Sequence, residues 1–414
     1  MLLGDLLSVQ MTRDAARLRA LMRLIQRFRR IVPVFGTWVL GNAQVREVFE
    51  RDTELRFGAP SDTKMKLGPF ILGMDDSPQY RRQKEELRRA LRSGEGGLQQ
   101  VAREVCEEVA AELANELRPG REVDLLARYV DPVVTRFSSR FYGVPFDDAH
   151  GKAVGSELLD LEAGEQVLGG WLRVLGAIIV SGTPAPFGLE EVADAAAEEF
   201  LAHLKEVAAR EAPPPGVIAR LGQQGELEPS EIASSVGGLM LAGRTVGRSF
   251  LFMLHQLLRR PDQRDRAAGL ARGGTDVERD ELLGYVLEAL RFQPPFAFLP
   301  RYAARATTLA TGTEEETRVG ANRKVLISPM AAMLDPLVFD QPDDFNPYRE
   351  RELYLHYATG RHVCLGDWIA NGVLTEMAVA LLREPTIGSA EPGVFRYRGP
   401  IVSSYRLAGG KGAP

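Results

Sequence analysis

The chain has 414 residues, 51 of them lysine or arginine and 56 aspartate or glutamate, for a net charge of −5. This mildly acidic balance argues against a nucleic-acid binder, whose mark is a basic stripe and a high pI. A hydrophobic fraction of 45% with 26% charged residues excludes collagen-like and wholly disordered chains, and 2 cysteines, Cys106 and Cys364, are too few for a disulfide framework or a cysteine-rich zinc or iron–sulfur site.

The first stretch is amphipathic and interrupted by Asp5 and Arg13, without the basic start and unbroken apolar run of a secretion signal. No segment reaches the roughly 18–20 apolar residues that span a membrane. The expectation is a soluble, cytoplasmic protein. Most of the chain reads as helix. Leu18, Leu21, Met22, Leu24 and Ile25 recur at helical spacing over 12–31. A short strand pair follows around Val34, Phe35, Trp38 and Val39, then a short helix with Asn42 as a candidate cap. Residues 56–76 form a loop punctuated by glycine and proline that holds Lys64, Lys66, Phe70 and Ile71. Ser77 and Pro78 open the next helix as N-cap and first residue. SGEGG ends it. Three or four helices occupy about 97–210, with breaks at TPAPFG and EAPPPG. A long helix starts near Pro229 and Ser230, with Glu226 and Glu231 at its positive end, and runs to about Arg259. Another covers roughly 276–293. ATGTEEETRVG then reads as a hairpin tip, KVLISP as a strand, 367–383 as a last helix, FRYRGPIVSSYRLA as a closing hairpin and GGKGAP as a frayed tail. Length alone suggests about two to four domains.

Chemistry concentrates at Cys364, in YATGRHVCLGDWIANG. Gly360 and Gly366 bracket it and allow close backbone approach. Amides near the sulfur and the start of a helix favour a thiolate, and a thiolate suits a soft metal. Taken alone, the loop is read equally well as a small buried hydrophobe, the usual fate of a free cysteine.

Other segments occur in a matching order, and together they make the chain resemble the cytochrome P450 family. The loop supplies Tyr357, Gly360, His362, Cys364 and Gly366, with Tyr357 where the family usually has Phe. Glu288 and Arg291 supply the family's Glu-x-x-Arg, and DPLVFDQPDDFNPYRE supplies Asp335, Pro336, Phe339, Phe345 and Arg349. The resemblance covers nearly the whole chain. It implies a mainly α fold with small β-sheets, and haem b between the long helix and the cysteine loop. It implies one domain over 1–414, β-rich at about 30–60 and 300–330, with a helical core at about 77–293 and 364–383. Cys364 is then the proximal thiolate on iron, pushing electron density toward a bound O–O bond. His362 and Arg301 match positions that contact the haem propionates. Tyr80 and Lys84 stand where the family often has His and Arg, a softer anchor because tyrosine is uncharged. Glu288 and Arg291, with Arg349 as a third member, are expected to form a buried pair bracing the ligand loop.

The long helix departs from the family's Ala-Gly-x-acid-Thr-Thr. Ala242 and Gly243 match, but the acid becomes Thr245, the key alcohol Val246 and the next Thr Gly247. The acid–alcohol pair helps relay protons; Val246 has none to give and Thr245 does not ionise near neutral pH. At about 100° per residue, Thr245, Val246 and Ser249 share the face of Ala242, whereas Arg244 points away from it. Arg244 therefore reads as a structural or channel-wall residue. A peroxide-using branch of the family has arginine one position later, so the analogy to it is weak.

The implied substrate pocket includes Phe70, Ile71, Trp171, Phe296, Phe298, Ile401 and Val402, each of which is also an ordinary core residue by type. Arg81, Arg82, Lys84, Arg88, Arg89 and Arg92 lie on the helix that borders the haem's proximal face in the family, where a basic patch steers an acidic ferredoxin-like donor. The first functional expectation is a monooxygenase of secondary metabolism, acting on a small, largely apolar molecule with electrons from a separate ferredoxin and ferredoxin reductase. The departure at 245–246 favours the alternative, a peroxygenase or a dehydratase- or isomerase-type use of the same haem. A non-enzymatic P450-like partner protein is the third reading, and retention of Cys364 argues against it.

Overall fold

The computed structural model describes residues 14–33, 36–56, 68, 70–71, 74–93, 95–145, 169–172, 175, 189–398 and 401–410. Lys64, Lys66, TPAPFG, most of 155–200 and the last four residues lie outside them. The main elements are α1 (Ala15–Gln26), β1 (Ile31–Val32), β2 (Thr37–Val39), α2 (Asn42–Glu50), β3 (Leu55–Arg56), α3 (Pro78–Arg92), α4 (Glu95–Ala114), β4 (Glu122–Asp124), α5 (Asp131–Tyr142), α6 (Leu189–Ala208), α7 (Val217–Gln224), α8 (Pro229–Leu258), α9 (Pro261–Gly273), α10 (Asp276–Phe292), β5 (Leu299–Ala303), β6 (Thr307–Leu309), β7 (Thr317–Val319), β8 (Lys324–Ile327), α11 (Asp367–Leu382), β9 (Val394–Arg398) and β10 (Ile401–Ala408).

Local chemistry sets the helix starts. Ser77 caps α3 by accepting from the Tyr80 amide, with Pro78 next. Glu228 and Glu231 close a capping box on α8, and Thr275 and Glu278 close another on α10. Asn42 is a correction: it is the first residue of α2, behind Gly41. Its amide donates to Asp335 Oδ2 at 3.0 Å and its side chain donates to the Ala332 carbonyl, so a remote carboxylate does the capping. Of the tail GGKGAP only Gly409 and Gly410 are described, and both are held. Gly409 bridges to Pro119, and the Gly410 amide donates to the Thr386 carbonyl at 2.7 Å.

The strands form a five-stranded sheet in the order β1-β2-β8-β5-β3, a three-stranded sheet in the order β4-β10-β9, and the hairpin β6-β7. Only β2 and β8 pair in parallel in the largest sheet. The helical core surrounds α8, which runs 30 residues, or about 45 Å. It packs against α6, α10, α5 and α11, while α11 also packs against α4. One large apolar cluster spans these helices, and two smaller ones lie under the five-stranded sheet and α1. No helix among the described residues is long and apolar enough to cross a membrane.

Candidate functional site

Cys364 sits in the turn before α11. Its amide donates to the Tyr357 carbonyl at 2.9 Å, and the loop passes through left-handed backbone at Ala358 (φ 59°) and Gly360 (φ 74°). Gly360 is required there: a Cβ would lie 2.8 Å from the Phe49 carbonyl oxygen. The sulfur accepts the Gly366 amide. It lies deep among protein atoms yet keeps accessible surface. Burial pushes the thiol up to about 11; the Gly366 amide and Lys84 pull it back, and Asp367 adds to the rise. Tyr357 donates its hydroxyl to Asn371 Oδ1 at 2.6 Å, tying the loop to α11.

A polar cluster gathers beside this loop. Tyr80 and Lys84, one turn apart on α3, both reach the Arg361 carbonyl, and Lys84 Nζ also donates to the Tyr80 hydroxyl at 3.0 Å. Burial lowers the Lys84 pKa and raises that of Tyr80 to about 12. The Arg361 guanidinium is clamped by Asp52 at 3.0 Å and Asp76 at 3.3 Å. The His362 ring lies 3.6 Å from Asp52 and 4.8 Å, centroid to centroid, from Tyr80. Burial holds the His362 pKa down, against the pull of Asp52. Arg301, on β5, is buried; desolvation lowers its pKa to about 10, and it lies over the Phe49 ring.

Glu288 and Arg291 on α10 are fully buried and form a bidentate pair at 2.7 and 2.8 Å. Arg349 reaches the same carboxylate at 3.4 Å, Tyr354 donates to it at 2.8 Å and the Asn346 amide at 2.9 Å. Arg291 donates to the carbonyls of Met333, Pro342 and Asp344. Each remaining hydrogen-bonding direction of the pair is thus occupied by the segment that leads to the cysteine loop, the condition under which a buried ion pair is tolerated.

On α8, the stretch Ala242–Thr245 keeps accessible surface in a largely buried helix. A Cβ at Gly243 would meet nothing within 4 Å. The Thr245 hydroxyl donates to the Ala242 carbonyl at 2.7 Å, and the Ser249 hydroxyl to the Thr245 carbonyl at 2.9 Å. Val246 is buried in the main apolar cluster, and Gly247 faces Val130. Arg244 turns away and pairs with the buried Asp131 at the start of α5.

The expected pocket residues do not share one surface. Phe70 packs on α8 at Gly238, and Ile71 against the main cluster. Trp171 is buried against Phe200 and His203 and donates to Glu199 at 3.3 Å. Phe298 stacks edge-on against Trp38 at 5.3 Å in the cluster under α1, and Val402 is buried in the main cluster. Phe296 and Ile401 are half-buried. The basic face of α3 also differs from its sequence pattern. Lys84 turns inward, while Arg81, Arg82, Arg88 and Arg89 pair with Asp76, Glu231, Glu85 and Glu86. Arg88 and Arg92 line a cavity of about 120 Å³ together with Cys364, Asp367 and Trp368.

The residues fit a haem. Among the described residues no group of three or more His, Cys, Asp and Glu side chains is placed to hold a metal ion, so Cys364 is a lone soft donor. A Cβ at Gly366, as at Gly243, would meet open space. The donors at Tyr80, Lys84, His362 and Arg301 suit two propionates. Sequence reasoning missed Asp52, Asp76 and Tyr354, ordinary polar residues far from the motif in the chain; only the fold brings them to it.

The sequence profile of the Cytochrome P450 family matches residues 275–384. A bifunctional dioxygenase–epoxy alcohol synthase of Fusarium oxysporum (strain Fo5176) is 34% identical over 122 residues, 29% of this chain and 9% of that protein. The cyclomarin C epoxidase CymV of Salinispora arenicola (strain CNS-205) is 26% identical over 281 residues, 66% of this chain and 62% of that protein. The chain therefore spans only a small part of the first of these relatives and less than two thirds of the second. Among solved structures, P450BioI in complex with a hexadec-9Z-enoic acid ligated acyl carrier protein superposes with a TM-score of 0.73 at 19% identity, over 97% of this chain and 99% of that one.

Proposed function

We propose that the chain is a member of the cytochrome P450 family, whose profile it matches over residues 275–384, and that it is a haem-thiolate oxygenase acting on a small, largely apolar molecule. The observation that carries this reading is Cys364: a deep but accessible sulfur that accepts the Gly366 amide, inside a loop whose φ values only a positioned turn sustains. Haem b, when bound, supplies dioxygen binding, electron acceptance and oxygen-atom transfer. The chain supplies the rest. Cys364 ligates the iron, and the Gly366 amide moderates the sulfur's charge. Lys84, Tyr80, His362 and Arg301 hold the propionates. The brace at Glu288 fixes the segment before the loop. Arg92, beside the Cys364 cavity, forms the docking edge for an acidic electron donor such as a ferredoxin, since Arg88 and Arg89 are paired with Glu85 and Glu86.

Proton delivery is where the chain departs from its family. The Thr245 and Ser249 hydroxyls both point their protons at carbonyls of their own helix, and Val246 lies in the core. No side chain of this stretch holds a proton ready for transfer, so protons come from water or from the substrate. The same observation favours a second reading, in which peroxide replaces dioxygen and reductant, or the haem serves a dehydratase- or isomerase-type reaction. Turnover of one ligand panel with oxygen, ferredoxin and reductase, set against turnover with hydrogen peroxide, decides between them. Product formed only with the reductase system supports the monooxygenase. Faster, cleaner product with peroxide supports the second reading.

A further inference from the structure

Two arginines on α8 sit one helical turn apart in opposite circumstances. Arg244 has Asp131. Arg248 lies deep in the protein, with neither a hydrogen bond nor an ion pair among the described residues, and its Nε is buried without a partner. Its guanidinium carbon lies 5.1 Å from the centre of the Phe252 ring, which stacks edge-on against Phe395 at 5.5 Å. Its electrostatic neighbour is Tyr397, on the same face of β9 as Phe395 and paired in register with Val402 of β10. Arg248 nevertheless keeps accessible surface, as Cys364 does.

An enclosed guanidinium without a counter-charge is costly, and the cost is relieved by an oxyanion. Its planar fork matches a carboxylate through two parallel hydrogen bonds, and an aromatic ring on one face holds that plane in position. We propose that Arg248 receives the carboxylate of an acidic organic substrate, whose apolar remainder lies along α8 and the inward face of the β9–β10 hairpin. This rests on the reading of the site as an oxygenase and narrows its substrate class to acids. Desolvation lowers the Arg248 pKa to about 10, so the cation is retained at neutral pH.

The test compares decanoate with 1-decanol on haem-loaded wild type, Arg248→Gln and Arg248→Lys, by the haem spectral shift and by calorimetry. Wild type should bind decanoate about tenfold or more tightly than decanol. Arg248→Gln should lose that preference while its affinity for decanol stays unchanged, and Arg248→Lys should keep part of it. Absence of a preference in wild type overturns the assignment, and so does full preference in Arg248→Gln. If Arg248→Gln does not fold, Arg248→Lys decides, because an undiminished preference there removes the need for the planar fork. The thiolate band of the same preparations reports on the haem separately, so a normal band without carboxylate preference refutes the Arg248 assignment alone.

Discussion

The cysteine side of the site is tied down by charges from distant parts of the chain, whereas the α8 side is satisfied almost entirely by its own helix. Around Cys364, Arg361 is clamped by Asp52 and Asp76, and Glu288 collects Arg291, Arg349, Tyr354 and the Asn346 amide. On α8, Thr245 and Ser249 bond back to carbonyls one turn earlier and Val246 joins the core. If Cys364 ligates a haem as proposed, its sulfur has to be held in a fixed place, and the cross-links of its loop serve that; the Ala242–Ser249 stretch of α8 has no such cross-links from its hydroxyls.

Breaking the cross-links should have the largest effect. Glu288→Ala leaves Arg291 as a buried uncompensated charge, at about 3–5 kcal/mol. Denaturant melts should show that loss together with a fall in haem-loaded soluble protein. A fully loaded, equally stable but slow variant would instead give Glu288 a direct chemical role. Asp131→Asn breaks the link between α5 and α8, and the cost should be about 2–3 kcal/mol because Arg244 keeps some accessible surface. An unchanged melt would show that the pair contributes nothing.

pH sharpens the comparison on the α8 side. Desolvation, with Arg259 and Arg260 adding to it, lowers the His255 pKa to about 4, while its ring contacts the Tyr405 hydroxyl at 3.2 Å. The unfolded chain carries an ordinary histidine near 6.5 and binds more protons. Stability present above about pH 6.5 should therefore be lost as pH falls toward 4, by up to about 3 kcal/mol for this residue. His255→Gln should flatten part of that slope, and an identical slope would remove His255 as its cause. The smallest effect belongs to the hydroxyls. Thr245→Val with Ser249→Ala should change stability by less than about 1 kcal/mol, since back-bonded hydroxyls add little to a helix. Product per electron pair should not change, and a marked rise in peroxide leakage would return these hydroxyls to the proton path.

The same division decides what the sequence disclosed. The caps of α3 and α8 are local chemistry, and Ser77, Pro78 and Glu231 announce them. The pairing of Glu288 with Arg291 is what the resemblance to the family implies, and their three-residue spacing on one helix permits it. The clamp on Arg361 does not, because Asp52 and Asp76 lie about 300 residues earlier in the chain. Asn42 misled for the same reason: its type suits a cap, but Asp335 already satisfies the amide. Trp171 shows the limit of residue type: its apolar surface suits a core and a cavity equally, and its contact with Phe200 is set by the fold. Arg248 is one of two arginines in α8, and residue type alone does not separate it from Arg244, which has Asp131.

The central claim is that Cys364 is the axial ligand of a haem. The direct measurement is the carbon monoxide difference spectrum of reduced wild-type protein beside Cys364→Ser. The account predicts the red-shifted band diagnostic of thiolate ligation in wild type and its complete loss in Cys364→Ser. A thiolate band that survives in Cys364→Ser, or wild-type protein that binds haem without such a band, would contradict it.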